Sequence, residues 1–270
     1  MTAEQLDGFQ PYVLYGSLGL YLLLETVVPL IGGRERRIWH GANNMALMLI
    51  GLVCNGLLAV FLVETIAWAE RHQFGLLRQV DLPLGVEVLL TVALFDCTEY
   101  WTHRMIRHRN PLIWRFHRVH HADADLDATT TGRVHPGELI VTIPIQMVLQ
   151  LIVGYPLLGA SAYFLTFTAF TMLQHANLSL PHTLDKWLSY VFITPNVHKV
   201  HHSDYQPETD SNFADIFSVW DRLFGTFRYP ADVRAIRFGL VEYPREVSTS
   251  LWHLLVMPFR NTGTSRERNS

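Results

Sequence analysis

The chain has 270 residues, 49% of them apolar and 17% charged, and a net charge of −3. It carries no block of basic residues, which argues against a nucleic-acid-binding protein. The apolar residues gather into long runs separated by segments rich in His, Arg and Asp, the distribution of a membrane protein with a polar face and not of a soluble globule.

In chain order, residues 1–10 hold the acids Glu4 and Asp7 and no base, so the positive start of a signal peptide is missing and the first apolar run reads as a retained helix. A crossing needs roughly 20 apolar residues, and the runs at 12–31, 41–63 and 84–101 each supply one. The run at 139–173 is long enough for two, with Gly154, Tyr155, Pro156 and Gly159 as the break between them. Five crossings are expected, although a re-entrant hairpin in place of two full spans fits the same residues. The fold class expected is therefore an all-α integral membrane protein, a bundle of about four to five transmembrane helices beneath a histidine-rich helical cap.

Basic loops stay in the cytoplasm. Arg34, Arg36 and Arg37 follow the first run, and Arg104, Arg107, Arg109, Arg115 and Arg118 follow the third, so both ends and the histidines beside them are expected on the cytoplasmic side. Arg71 and Arg78 run mildly against this orientation. Tyr12, Tyr15, Trp39, Trp68, Trp101 and Trp187 stand near expected span ends, as interfacial aromatics do. Residues 248–259 read as a short helix lying on the membrane and 261–270 as a disordered tail. The organisation expected is 1–80 as N-terminal helices, 81–230 as the catalytic region and 231–270 as interfacial helix and tail, all in one structural domain. Cys54 and Cys97 form no CxxC pair and read as small buried apolar residues.

Fourteen histidines are present, and their spacing carries the chemistry. His117, His120 and His121 form His-x-x-His-His, and His198, His201 and His202 repeat it. At this histidine frequency one such triplet is expected by chance about 0.04 times, so two are not accidental. Positions i and i+4 share a helix face while i+3 is turned about 100° away. His117 with His121 can thus grip one metal while His120 reaches a second, and His198, His202 and His201 repeat the arrangement. His103 and His108 are five apart, which is not one face of a straight α-helix; either a helix ends between them or they serve different metals. Asn110-Pro111 is consistent with a helix ending there. His175 closes the last apolar run. Nine clustered imidazoles exceed what one ion uses, so two metals are the economical reading.

The order His-x4-His, His-x-x-His-His, a mid-chain His and a second His-x-x-His-His resembles the fatty acid hydroxylase / sterol desaturase superfamily of membrane histidine-box oxygenases. Further matches are Phe95-Asp96 with Tyr100-Trp101-x-His103-Arg104, Arg133-Val134-His135-Pro136-Gly137-Glu138 and Gln174-His175-Ala176-Asn177. Thr194-Pro195 before His198, and Asn212-Phe213 through Trp220-Asp221-Arg222-Leu223-Phe224-Gly225-Thr226, match as well. The resemblance runs from about residue 90 to 228. It implies a non-haem di-iron oxygenase that uses O₂ to hydroxylate or desaturate a lipid C–H bond. Carried over residue by residue, the implied ligands are His103, His108, His117, His120, His121, His175, His198, His201 and His202. His135 stands as a tenth ligand or a supporting group, Asn177 as a ligand through water, and Asp96 and Glu138 as holders of imidazole N–H groups.

No Gly-x-Gly-x-x-Gly fingerprint and no cysteine set for an iron–sulfur cluster is present, so electrons are expected from a ferredoxin, rubredoxin or b-type cytochrome. His182, His40, His72 and His253 have no histidine partner and read as packing residues; Asp221 and Arg222 are expected to brace the cap as an ion pair. The Asn177-Leu178-Ser179 sequon faces the cytoplasm in this topology and is discounted. Two other classes compete. A membrane metal transporter would also cluster histidines, but near the bilayer midplane. A di-zinc hydrolase would be expected to use carboxylate ligands, and no HExxH is present.

Overall fold

A computed structural model of the chain describes residues 2–32, 37–243 and 250–260. Arg34, Arg36, the expected tail at 261–270 and the first two residues of the stretch at 248–259 lie outside the described residues.

Five long helices carry the architecture: α1 (Ala3–Val27), α2 (Arg37–Arg71), α3 (Leu84–Trp101), α5 (Pro136–Val153) and α6 (Leu157–His175). Shorter helices build the cap, namely α4 (Pro111–His121), α7 (His182–Leu188), α8 (Pro195–His201), α9 (Gln206–Thr209), α10 (Val219–Leu223) and α11 (Leu251–Val256). Among the described residues there is no strand, only two isolated β-bridges. The helix starts are written locally. Pro111, Pro136 and Pro195 each open a helix, where a missing N–H costs nothing, and Asn110, His135 and Thr194 cap the same ends with side-chain acceptors. Thr2 and Gln5 form a capping box at α1.

By length and composition three helical stretches can cross a membrane: Arg37–Gln79, Pro136–Val153 and Leu157–His175. α1 and α3 occupy the first and third expected spans, but Glu25 lies within the one and Glu87, Asp96 and Glu99 within the other. Among the described residues three helices, against the four to five expected, are thus long and apolar enough to cross. The deep acids have work to do: Glu25, Asp96 and Glu99 are buried and bind groups of the cap or the bundle. The 35 residues of α2 run about 52 Å at ~1.5 Å per residue, beyond a hydrocarbon core of ~30 Å. Its first turns accordingly carry His40, Asn43 and Asn44, all buried.

The chain breaks between α5 and α6 where the sequence places the break, at Gly154, whose φ of +73° closes α5 in the left-handed region. Gly154 lies against Gly75, beyond the end of α2, so closely that a Cβ on Gly75 would stand 2.4 Å from the Gly154 Cα. Arg78 donates to the Gly154 carbonyl at 3.0 Å and pairs with Glu87 at 2.8 Å, which closes this end of the bundle. The opposite end collects the C-termini of α1, α3 and α6 and the N-termini of α2 and α5, and there the polar segments pile up. Between the ends, Phe95 stacks on Tyr155 and Tyr163 at 4.7 and 4.4 Å within a core shared by α2, α3, α5 and α6. Gly159 lets α6 approach α3, since a Cβ there would meet Thr91 at 2.5 Å.

Candidate metal centre

At the end of α3 the backbone widens into a π-helical stretch, Thr102–His108. Its i→i+5 bonding aligns residues five apart, so His103 and His108 fall on one side. This corrects both sequence alternatives: no helix end separates the two, and they enter the same group. Asn110 then caps α4 by accepting from the Leu112 and Ile113 amides.

The structure gathers the nine box histidines into two groups. His103, His108, His117, His121 and His201 form one, and His120, His175, His198 and His202 the other, the candidate ligand atoms of each lying within 4.8 Å of one another. In the first, the Nε2 of His103 lies 3.2 Å from that of His117 and 3.2 Å from that of His201, and His117 and His121 are 3.1 Å apart. In the second, His175 Nε2 stands 3.0 Å from His120, 3.0 Å from His198 and 3.1 Å from His202. Two nitrogens each at about 2.1 Å from one ion and at right angles to it are roughly 3.0 Å apart. The groups adjoin, with the rings of His121 and His202 stacked at 4.7 Å.

In several of these rings burial drives out the charged form, and the neighbouring imidazoles reinforce the effect. His103, His120, His121, His198 and His202 are held well below the ordinary histidine value, and His201 falls to about 3. Neutral imidazoles have a lone pair to offer, and in five rings hydrogen bonds at Nδ1 decide which nitrogen offers it. His103 donates to the Phe213 carbonyl at 2.8 Å, His201 to Ser211 at 2.7 Å and His175 to Thr171 at 2.7 Å. His117 faces Glu138 at 3.2 Å and His108 faces Asp210 at 3.3 Å. Each contact puts the proton outside and turns the Nε2 lone pair inward. Converging lone pairs without protons between them are a donor set for cations, so the residues present fit imidazole-bound metal ions.

The flanks of the boxes hold the cage. Asp221, buried, accepts from the Phe213 and Ala214 amides at 2.8 and 3.0 Å and from Thr226 at 2.7 Å, fixing the loop whose carbonyls take the His103 and His201 protons. The Asp221–Arg222 ion pair expected from sequence is replaced: Arg222 donates to the Ser189 carbonyl at 3.0 Å and lies over Phe227 at 3.7 Å. Glu138 shares its carboxylate between His117 and Arg107. Asp96 holds no imidazole; it accepts from the Ile216 and Phe217 amides and the Trp220 indole and pins the loop to α3. His135 lies outside both groups, its Nδ1 capping Gly137 and its Nε2 donating to the Leu255 carbonyl, so neither nitrogen is left for a metal. Asn177 spends both ends of its amide on the Ile31 backbone.

Of the remaining histidines, His72 stacks on Trp68 and His182 lies against Tyr229, outside the two groups. His253 sits on α11, also outside them. His40 departs from its expected interfacial packing: it is 1% exposed and bridges Asp123 at 2.9 Å and Asp127 at 3.1 Å. The carboxylates lie more than eighty residues away along the chain, so no local pattern announces the contact. Asp210, Ser211 and Phe213 escaped the sequence reading in their role. Phe213 belongs to a family signature and Asp210 and Ser211 just precede it, but nothing in the residues tells which acceptor receives which ring.

A helical bundle with three stretches able to cross a membrane, capped by nine imidazoles in two adjoining groups that could hold metal ions, has the features of a metal-binding membrane protein. The chain belongs to the fatty acid hydroxylase family, whose sequence model matches residues 88–226 and thus covers all nine histidines. It is 27% identical over 186 residues to ornithine lipid hydroxylase OlsE of Rhizobium tropici, a match covering 67% of this chain and 53% of that protein. It is 27% identical over 152 residues to human alkylglycerol monooxygenase, covering 54% and 31% of the two chains. With human lathosterol oxidase it shares 22% identity over 193 residues, covering 70% and 60%. The chain therefore spans about half the length of these relatives. No solved structure matches it. Metal transport is not favoured: the histidines stand at helix ends and in the cap, not at the middle of a span.

Proposed function

We propose that this protein is an O₂-dependent lipid oxidoreductase that hydroxylates or desaturates a C–H bond of a fatty acyl, sterol-like or related chain at a di-iron centre. The convergence of nine imidazole nitrogens into two adjoining groups carries the reading, and the named activities of the relatives, a lipid hydroxylase, an alkylglycerol monooxygenase and a sterol oxidase, give it a substrate class. His103, His108, His117, His121 and His201 would hold one iron and His120, His175, His198 and His202 the other. Two irons held there would supply the activation of dioxygen and the removal of hydrogen from an unactivated carbon.

The chain's own residues prepare for this. Burial of the rings keeps bulk water from the cage, and the outward Nδ1 protons fix the tautomers. A line of hydrogen bonds runs from His117 through Glu138, Arg107 and Glu99 to Gln146, each contact between 2.8 and 3.2 Å, and ties the cage to α3 and α5. Because the groups stand at the ends of α3 and α6, an acyl chain lying in the bilayer is already close to them. Arginine-rich segments beside the same ends support a cytoplasmic cap. There an external one-electron carrier, a ferredoxin, rubredoxin or b-type cytochrome, would dock.

Lipid extracts from cells with and without the protein, compared by mass spectrometry, should differ by the gain of one oxygen or the loss of two hydrogens in one lipid class. His120→Ala should abolish the change while its circular dichroism stays helical. Undiminished lipid oxidation in that variant would refute the assignment.

A further inference from the structure

We propose that the two histidine groups hold their ions unequally: the five-histidine group tightly, the four-histidine group exchangeably. The inference rests on the metal-binding reading above and deepens it.

The groups differ in how their rings are anchored. In the first, four of five outer nitrogens meet an acceptor: His103 the Phe213 carbonyl, His201 the Ser211 carbonyl, His117 the buried Glu138 and His108 the part-exposed Asp210. In the second, only His175 is held, by Thr171, while the Nδ1 atoms of His120, His198 and His202 are buried without a hydrogen-bond partner. His121 is the single comparable ring of the first group.

An anchored ring cannot turn without breaking its bond to the outer acceptor, so before metal arrives its lone pair points at other lone pairs. That costly arrangement is relieved by a cation. An unanchored ring loses nothing by turning its N–H into the cage and donating to a neighbour's Nε2, so an ion must compete with that bond and pay for fixing the ring. The charges that touch each group add to the contrast. Two carboxylates, Glu138 and Asp210, face rings of the first group. Against the second lies the buried Lys199, its Nζ 2.8 Å from the Ala176 carbonyl, one residue from His175. Neither set is free of opposing charge: Glu138 is shared with Arg107, and Asp123, close in chain to His120, is paired with His40 and Arg133, so the anchoring carries the inference. Outer hydrogen-bond partners of a ligand typically change metal affinity ten- to a hundred-fold, so at least a tenfold difference in release rate is expected.

The test is anaerobic release of Fe(II) from the full-length, detergent-solubilised protein loaded with two equivalents, followed by the absorbance of an excess ferrous chelator. Two phases of one ion each, differing at least tenfold in rate, are expected. Glu138→Gln should quicken the slow phase alone. His202→Ala should lose the fast phase and retain one ion. Two ions leaving in a single phase would overturn the proposal, as would Glu138→Gln acting on the fast phase. The wild-type and Glu138→Gln results decide the matter even if His202→Ala does not fold. A wild-type protein that binds no iron would instead overturn the di-iron reading itself.

Discussion

Asp215 shows what the cap asks of a single side chain. Its loop is pinned to α3 by Asp96, and its carboxylate accepts from the Tyr163 hydroxyl at 3.1 Å. Burial first, and then the proximity of Glu99, raise it to about 7, although Arg107 and the Tyr163 bond pull the other way. An unfolded Asp titrates near 3.9, so the folded protein favours the protonated acid. The stability tied to this group is complete below about pH 4 and is lost as the pH rises through about 7. Asp215→Asn keeps the shape and removes the ionisation. The thermal midpoint of the variant should therefore fall less between pH 5 and pH 8 than that of the wild type. Equal falls in the two proteins, followed by circular dichroism in detergent, would show that Asp215 ionises without strain.

The docking of the 211–226 loop against α3 is a matter of elements. Asp96 is fully buried and takes three donors, at 2.9, 2.8 and 3.0 Å. Leaving a buried donor without its acceptor costs about 1–3 kcal/mol each. Asp96→Leu should thus destabilise the protein by several kcal/mol and, by loosening the loop that carries Phe213 and Ser211, disturb His103 and His201. The midpoint of thermal unfolding measures the first effect and bound iron per chain the second; a variant as stable and as iron-rich as the wild type would contradict the role. The same elements mark where sequence reasoning stops. The triplets were legible because an i, i+3, i+4 pattern survives in any α-helix, and α4 and α8 place the rings as that pattern demands. The pair His103/His108 was not legible, because a π-helical turn changes the period without changing the residues. Asp96 and His135 carry the motif but not its expected duty. A carboxylate beside a histidine box looks alike whether its donors are imidazoles or, as here, the Ile216 and Phe217 amides and the Trp220 indole.

At the scale of the molecule, the helices outside the family match hold the histidine-bearing segments in place. Glu25, on α1, accepts from the amides of Ala128 and of Asn177, two residues beyond His175. From α2, His40 bridges Asp123 and Asp127 just past His121. Asn44 accepts from Arg133, which in turn caps α4 at the Val119 carbonyl. None of this was visible in the first eighty residues, where a lone histidine in an apolar run looks like packing. With both ring nitrogens set against buried carboxylates, His40 is a counter-ion of Asp127 and shares Asp123 with Arg133. Removing one partner of a buried ion pair typically costs about 3–5 kcal/mol because the other charge is left uncompensated. His40→Leu should therefore destabilise the protein by about that amount, and Asp127→Asn added to it should recover part of the loss, since one stranded charge is then gone. A double variant no more stable than the single one, by thermal melting in detergent, would mean that His40 fills space without balancing charge. Recovery would make the N-terminal helices an electrostatic part of the cap, and would explain why a chain whose clustered histidines lie in residues 103–202 folds around a polar start to α2.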